Sequence, residues 1–114
     1  MKIASISGIT YRVQDIERTA DFYNKLGFRL GAQDDSSLTV YVNWFWIRFQ
    51  VAESSRNESM LLNLKVVDVD EFYGGVIEKG LKPVAEPKNQ TWGHREFDLK
   101  DPDGHTLVFF QKIK

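Results

Sequence analysis

Asp98-Leu99-Lys100-Asp101-Pro102-Asp103-Gly104-His105 reads as a strand running into a tight turn, and Thr106-Leu107-Val108-Phe109-Phe110 reads as the strand that leaves it. Pro at the second turn position presets φ, and Gly accepts the positive φ that closes such a hairpin. Working back from it, Leu61-Leu62-Asn63-Leu64-Lys65-Val66-Val67 reads as a strand, and Asp68 with Glu71 three residues later as a capping-box-like helix start. Val69, Phe72, Tyr73, Val76 and Ile77 form an apolar helical face, and Gly80 ends the helix. Gly74-Gly75 weakens that helix by about 1 kcal/mol per Gly relative to Ala, so it must lean on tertiary packing. Leu81-Lys82-Pro83-Val84 leads away, with Pro83 suited to a strand edge, and residues 95–100 and 106–111 close the unit as the hairpin.

The same order stands earlier in the chain. Gly8-Ile9-Thr10-Tyr11-Arg12-Val13 alternates as a strand, Asp15 caps a helix with Ile16, Ala20, Tyr23 and Leu26 on one face, and Gly27 stops it. Phe28-Arg29-Leu30 begins the next strand, Asp34-Asp35-Ser36-Ser37 is turn-prone, and residues 38–43 and 45–52 read as two further strands. Asp15 and Asp68 are 53 residues apart, as are Gly27 and Gly80, so cap, helix length and stop coincide in the two halves. The expectation is an α+β domain of two tandem βαβββ modules, about 1–52 and 60–114, joined by a polar bridge at 53–59. Neither module can bury its helix and sheet face alone, so the sheets are expected to pair around a shared interior.

A chain of 114 residues makes one domain, or two half-size modules that share a core, and 42% hydrophobic with 27% charged residues is an ordinary globular composition. A net charge of -1 with scattered basic residues gives no reason to expect nucleic acid. The absence of cysteine excludes disulfides, thiolate metal sites and Cys nucleophiles. With no long apolar run, a cytoplasmic protein without membrane contact is expected. Eight Phe, four Tyr and three Trp are enough to fill a core, yet Tyr41-Val42-Asn43-Trp44-Phe45-Trp46 concentrates aromatics beyond what one strand needs and suggests a binding wall.

Asp15-Ile16-Glu17-Arg18-Thr19-Ala20-Asp21-Phe22-Tyr23-Asn24-Lys25-Leu26-Gly27-Phe28 and Trp92-Gly93-His94-Arg95-Glu96-Phe97-Asp98-Leu99-Lys100-Asp101-Pro102-Asp103-Gly104-His105, in this order, resemble the vicinal oxygen chelate superfamily. That group includes glyoxalase I, extradiol dioxygenases and bleomycin-resistance proteins. The resemblance implies curved mixed sheets around a cup, frequent dimers and, in the enzymes, a divalent metal held by His and Glu from four strand positions. It specifies fold far better than function, because unrelated chemistries share the scaffold.

Carried over one by one, those four positions fall at Gly8, Arg48, Leu61 and Val108. None can bind a cation, and the permanently charged Arg48 would repel one. The resemblance therefore implies no metal, no cofactor and no catalytic residue, and points to the small metal-free, bleomycin-resistance-like members. His94 and His105, beside the hairpin turn, are expected at the surface.

Residues in phase with the lost ligands should face the cup: Gly8, Thr10 and Arg12; Trp46, Arg48 and Gln50; Leu61 and Asn63; Val108 and Phe110, joined by Tyr41 and Asn43 if the register permits. The expected ligand site is Trp46, Arg48, Gln50, Asn63, Trp92, Phe110 and Tyr41, a lining suited to a planar or anionic organic molecule. Structural readings stand beside it. Arg48 could instead pair with Glu96 or Asp98, Trp46 could be core, and Trp92 could cover a sheet edge or a dimer seam.

No nucleophile elbow, Walker loop or dinucleotide fingerprint is present, Ser5, Ser7 and Thr10 have no activating His in sequence context, and nothing marks Glu53 or Glu96 as an acid or base. Three functions compete. One is a metal-free protein that binds a small aromatic or anionic compound, an antibiotic among the candidates, as a homodimer. Bleomycin itself is disfavoured by Arg48 and a net charge of only -1. The second is a metal-dependent lyase or dioxygenase with atypical ligands. The third is a non-catalytic domain whose groove a dimer partner fills.

Overall fold

The computed structural model describes residues 1–4, 7–52 and 59–113. The chain forms two compact units, Met1–Glu58 and Ser59–Lys114. The polar bridge at 53–59 lies almost wholly outside the described residues, as do Ser5 and Glu53.

The first unit runs β1 (Gly8–Val13), α1 (Ile16–Lys25), β2 (Arg29–Gln33), β3 (Ser37–Val42) and β4 (Phe45–Val51). Its sheet is ordered β1-β4-β3-β2, with β1 parallel to β4 and the remaining pairs antiparallel. A parallel pair needs a crossover, and here it comprises α1, β2 and β3. The helix starts where the sequence places it. Asp15 is extended, at φ -142° and ψ 112°, and its carboxylate accepts the Arg18 N–H at 3.1 Å, satisfying one of the donors a helix start leaves open. Gly27 follows the C-cap at φ 91°, where a Cβ would be strained.

The buried face of α1 differs from the expected one. Phe22 and Thr19 are buried with Ile16, Ala20 and Tyr23, whereas Leu26, the C-cap, is only half-buried. Thr19 is tolerated there because its hydroxyl donates to the Asp15 carbonyl at 2.9 Å. Tyr23 is the hub of this core, with ring centroids 4.6 Å from Phe49 and 5.1 Å from both Phe22 and Phe28. Tyr11, Val13, Leu38, Val40 and Ile47 complete the buried face of the sheet.

The second unit runs β5 (Leu61–Lys65), α2 (Val69–Glu78), β6 (Lys88–Asn89), β7 (His94–Lys100) and β8 (Thr106–Lys112), with sheet order β5-β8-β7-β6. Strands β5 and β8 are parallel, so the first unit's pattern recurs. Asp68 accepts the Glu71 N–H at 3.1 Å, and Gly80 stands at φ 80°. A further partner for the helix start was not legible in the sequence: Gln111 on β8 accepts the Val69 N–H at 2.6 Å. Phe72 packs 4.5 Å from Phe109 and Tyr73 packs 5.3 Å edge-on to Phe97, which is the tertiary support that Gly74-Gly75 demands. Ile77, expected on the apolar face, is 48% exposed, and Val69 and Val76 are the buried aliphatics.

No strand forms at 81–84. The Val84 N–H of this stretch donates to the Asp98 carbonyl at 2.9 Å, and the fourth strand is the two-residue β6, paired with Arg95 and Glu96. Pro83 and Pro87 lack the N–H groups a longer edge strand would use.

The closing hairpin turns through Asp101-Pro102-Asp103-Gly104-His105. Gly104 is at φ 83° and its N–H donates to the Asp101 carbonyl at 3.0 Å. His105 corrects an expectation. It is 1% exposed, not a surface residue, and its Nδ1 accepts the Met60 N–H at 3.0 Å. The turn delivers its imidazole inward because the Asp101 carboxylate accepts the N–H groups of both Asp103 and His105 at 2.9 Å.

Candidate functional site

Each sheet has one face on its helix and one open face. In the first unit the parallel register sets Gly8 opposite Trp46, Thr10 opposite Arg48 and Arg12 opposite Gln50, while β3 sets Tyr41 opposite Trp46, Thr39 opposite Arg48 and Ser37 opposite Gln50. Period-two alternation puts all of these away from the Tyr11, Ile47 and Phe49 face. Trp46, Arg48, Gln50 and Tyr41 are thus brought to one surface, as the sequence predicts.

Asn43 does not join them. It sits at φ 56° in the two-residue turn between β3 and β4, a conformation Asn tolerates, and its carbonyl accepts the Arg29 guanidinium at 3.3 Å. Trp44 also leaves the expected aromatic wall, standing 87% exposed at the turn tip. The wall on this face consists of Tyr41 and Trp46, both half-buried.

Both rings have seats. A Cβ on Gly8 would stand 2.3 Å from Cδ2 of Trp46, and a Cβ on Gly31 would stand 2.6 Å from Cε2 of Tyr41. Each ring therefore lies on the bare backbone of the neighbouring strand, in space that any side chain would take. Each also carries an arginine: the guanidinium carbon of Arg48 is 5.0 Å from the Trp46 ring centroid, and that of Arg29 is 4.4 Å from the Tyr41 centroid. Within its own unit Arg48 meets no carboxylate among the described residues. Arg29 was not anticipated. Strand β2 shifts register between Leu30 and Gln33, so alternation along it gives no phase that sequence could use.

In the second unit the open face carries Leu61 and Asn63 from β5, Thr106, Val108 and Phe110 from β8, and His94, Glu96 and Asp98 from β7. Asn63 and Phe110, expected in the site, are there. Trp92 precedes β7, is 62% exposed, and donates its indole N–H to Glu96 at 3.0 Å. The same carboxylate oxygen is 3.8 Å from His94 Nδ1, and the imidazole stacks on Phe110 with centroids 4.3 Å apart and planes 13° off parallel. His94 is half-buried, not a surface residue. Glu96 and Asp98, which the sequence offered only as partners for Arg48, and His94, expected at the surface, belong to this face; the alternation that places Phe110 also places them through β7. Partial burial, reinforced by the negative charge of Glu96 and opposed by Lys100, pushes the Asp98 carboxyl above its ordinary range.

The donor set does not fit a metal of the superfamily type. Gly8 has no side chain and Trp46 fills the space beside it, Arg48 is cationic, Leu61 is aliphatic and 58% exposed, and Val108 is aliphatic and 5% exposed. Among the described residues no three His, Cys, Asp or Glu side chains stand close enough together to hold an ion. An acidic cleft at the start of α1 includes Asp15, Glu17, Asp34 and Asp35. It makes no alternative centre, since Asp15 caps the helix and Asp34 accepts the N–H groups of Ser36 and Ser37. Those hydrogen bonds, Ser36 first, hold the Asp34 carboxyl below its usual range.

The sequence and the fold are similar to those of known proteins. Residues 5–109 match the family described as the Glyoxalase/Bleomycin resistance protein/Dioxygenase superfamily. A bleomycin resistance protein of Geobacillus stearothermophilus is 30% identical over 122 aligned positions, covering 90% of this chain and 92% of that protein. The bleomycin resistance determinant encoded on transposon Tn5 superposes with a TM-score of 0.80 at 23% identity, covering 96% of this chain and 98% of the other. A bleomycin-binding protein complexed with bleomycin superposes at 0.77 and 23% identity, covering 96% and 99%. The chain is a bleomycin-resistance-like member of the glyoxalase/bleomycin resistance protein/dioxygenase superfamily.

Proposed function

We propose that this protein binds a small organic molecule bearing a planar ring, without converting it and without a metal. The observation that carries the reading is Trp46 seated on Gly8. Where the superfamily's enzymes would place a metal ligand, this chain has a bare backbone covered by an indole. Catalysis in that group relies on a cation to polarise bound oxygen, and the side chains at these positions supply no donor for one. What Arg48 and its neighbours Trp46, Tyr41 and Gln50 supply is aromatic area and hydrogen-bond donors, the composition of a small-molecule site. The contacts we assign are Trp46, Arg48, Gln50 and Tyr41 from the first sheet and Asn63, Phe110 and Trp92 from the second unit.

Relatives 30% identical along nearly their whole length are bleomycin resistance proteins, which supports sequestration of a compound over its transformation. We further place the protein in the cytoplasm as a homodimer, with modules of about 1–52 and 60–114 acting as one domain. Among the described residues no helix is long and apolar enough to cross a membrane. Sedimentation tests the dimer.

Tryptophan emission tests the binding reading, because Trp46 and Trp92 would both report a ligand. Saturable quenching by a planar compound, with bleomycin in the panel, is expected. A flat response across the panel, or stoichiometric Ni, Zn, Fe or Mn linked to turnover in protein purified without chelator, overturns it.

A further inference from the structure

We propose that Arg29 acts with Arg48 as a second anion-reading side chain, and that the open face of the first sheet selects a planar aromatic carboxylate. This deepens the binding reading above and rests on it. Three features of the face carry the inference.

The first is charge. Among the strand residues that share this face, the charged ones are Arg12, Arg29 and Arg48, and none is acidic. The acidic pair Glu96 and Asp98 belongs to the other sheet. An organic anion that leaves water for the first sheet therefore meets positive charge and no carboxylate on it.

The second is preorganisation. A guanidinium above an aromatic ring uses its π face for that contact and keeps in-plane N–H donors for an oxyanion. The guanidinium carbon of Arg48 stands 5.0 Å from the Trp46 centroid and that of Arg29 4.4 Å from the Tyr41 centroid. Arg29 is further tied by one N–H to the Asn43 carbonyl at 3.3 Å, which restrains its stem while its other donors remain. The rings beneath lie in the space that a Cβ on Gly8 or Gly31 would take. Arginines restrained in this way lose less rotamer freedom on binding than solvated ones.

The third is spacing. Arg29, Tyr41 and Trp46 form one row across three adjacent strands, with Arg48 two residues beyond Trp46 on β4. Strands in a sheet lie about 4.8 Å apart, so the strands bearing the two arginines are about 10 Å apart, with Tyr41 on the strand between them and Trp46 beside Arg48 on its own strand. That span admits a one- or two-ring aromatic body with an acid group at its edge.

Calorimetric titration with three isosteres tests the assignment: naphthalene-2-carboxylate, the neutral naphthalene-2-carboxamide and the cationic naphthalen-2-ylmethylammonium. The carboxylate is expected to bind at least tenfold tighter than the amide. Arg29→Gln and Arg48→Gln are each expected to remove about tenfold for the carboxylate while changing the amide less than threefold. Arg29→Lys is expected to recover part of the loss. Urea midpoints of the variants establish that each is folded. Equal affinity for all three probes overturns the anion preference and leaves the ring-binding reading standing. Preference for the cation, lost in Glu96→Gln, moves recognition to the second sheet and overturns the inference. A carboxylate preference that survives Arg29→Gln removes Arg29 from the site, and no binding by any probe overturns both readings.

Discussion

Trp46 and Gly8 share one volume: a Cβ on Gly8 would stand 2.3 Å from Cδ2 of the indole and 2.4 Å from the Trp46 carbonyl oxygen. Because one of those atoms is backbone, turning the ring aside does not relieve the contact. Gly8→Ala is therefore expected to destabilise the fold by about 1–3 kcal/mol, the usual cost of overpacking, and to shift Trp emission. Urea denaturation and the emission maximum check it. Gly8→His, which restores an imidazole where the superfamily places one, is expected to cost at least as much and to gain no stoichiometric metal.

Gly74 and Gly75 present the opposite case. A Cβ at either meets nothing within 4 Å, and both lie inside α2. Gly74→Ala and Gly75→Ala are each expected to stabilise by about 0.5–1 kcal/mol, through a less entropic unfolded chain and better helix propensity. Chemical denaturation of the single and double variants measures it.

Asp98 makes stability depend on pH in the direction opposite to an ordinary paired carboxylate. Burial and Glu96 raise its folded pKa above the unfolded value, so the folded state holds the proton more tightly. Its favourable contribution is full below the unfolded pKa and is lost as pH rises through the folded one. Asp98→Asn is expected to be more stable than the parent at pH 7 and equal to it near pH 3, where both side chains are neutral. Urea midpoints at the two pH values decide it. Asp70 runs the other way: its hydrogen bonds to Arg95 lower its pKa, so its contribution is present at neutral pH and fades in acid.

His105 joins the closing turn to the residue that precedes β5, accepting the Met60 N–H at 3.0 Å while the Met60 carbonyl accepts from Thr106 at 2.8 Å. His105→Leu keeps the site apolar and removes the acceptor. A part-buried N–H without its acceptor costs about 1–3 kcal/mol, so a loss of that size is expected in denaturation. Amide exchange at Met60 is expected to accelerate beyond the change at Leu107.

Chelation is expected to change nothing. Dialysis against EDTA should leave the melting temperature and any ligand titration unmoved, since none of Gly8, Arg48, Leu61 and Val108 offers a donor to an ion. A drop in melting temperature that a divalent cation restores is the contrary result.

Both helix starts and stops were legible because they are local. Asp15 and Asp68 reach amides three residues on, and Gly27 and Gly80 hold positive φ within their own turns. Strands β1, β3, β4, β7 and β8 followed from alternation for the same reason, and alternation placed Trp46, Arg48, Gln50 and Tyr41 on one face. Strands β2 and β6 resisted. The register shift in β2 hid Arg29, and the prolines around β6 shortened it to two residues. The burial of His105 and Phe22 was missed because it is decided by what packs above them.

The sequence alone determined the two βαβββ units with their caps and turns, because each depends on groups within a few residues of one another. Only the tertiary structure decided that Trp46 lies on Gly8 and Tyr41 on Gly31, that arginines stand over both rings, and that Glu96 holds Trp92. Those contacts join different strands, or a loop to a strand, and their distances are set by sheet register and ring orientation, which no local pattern encodes.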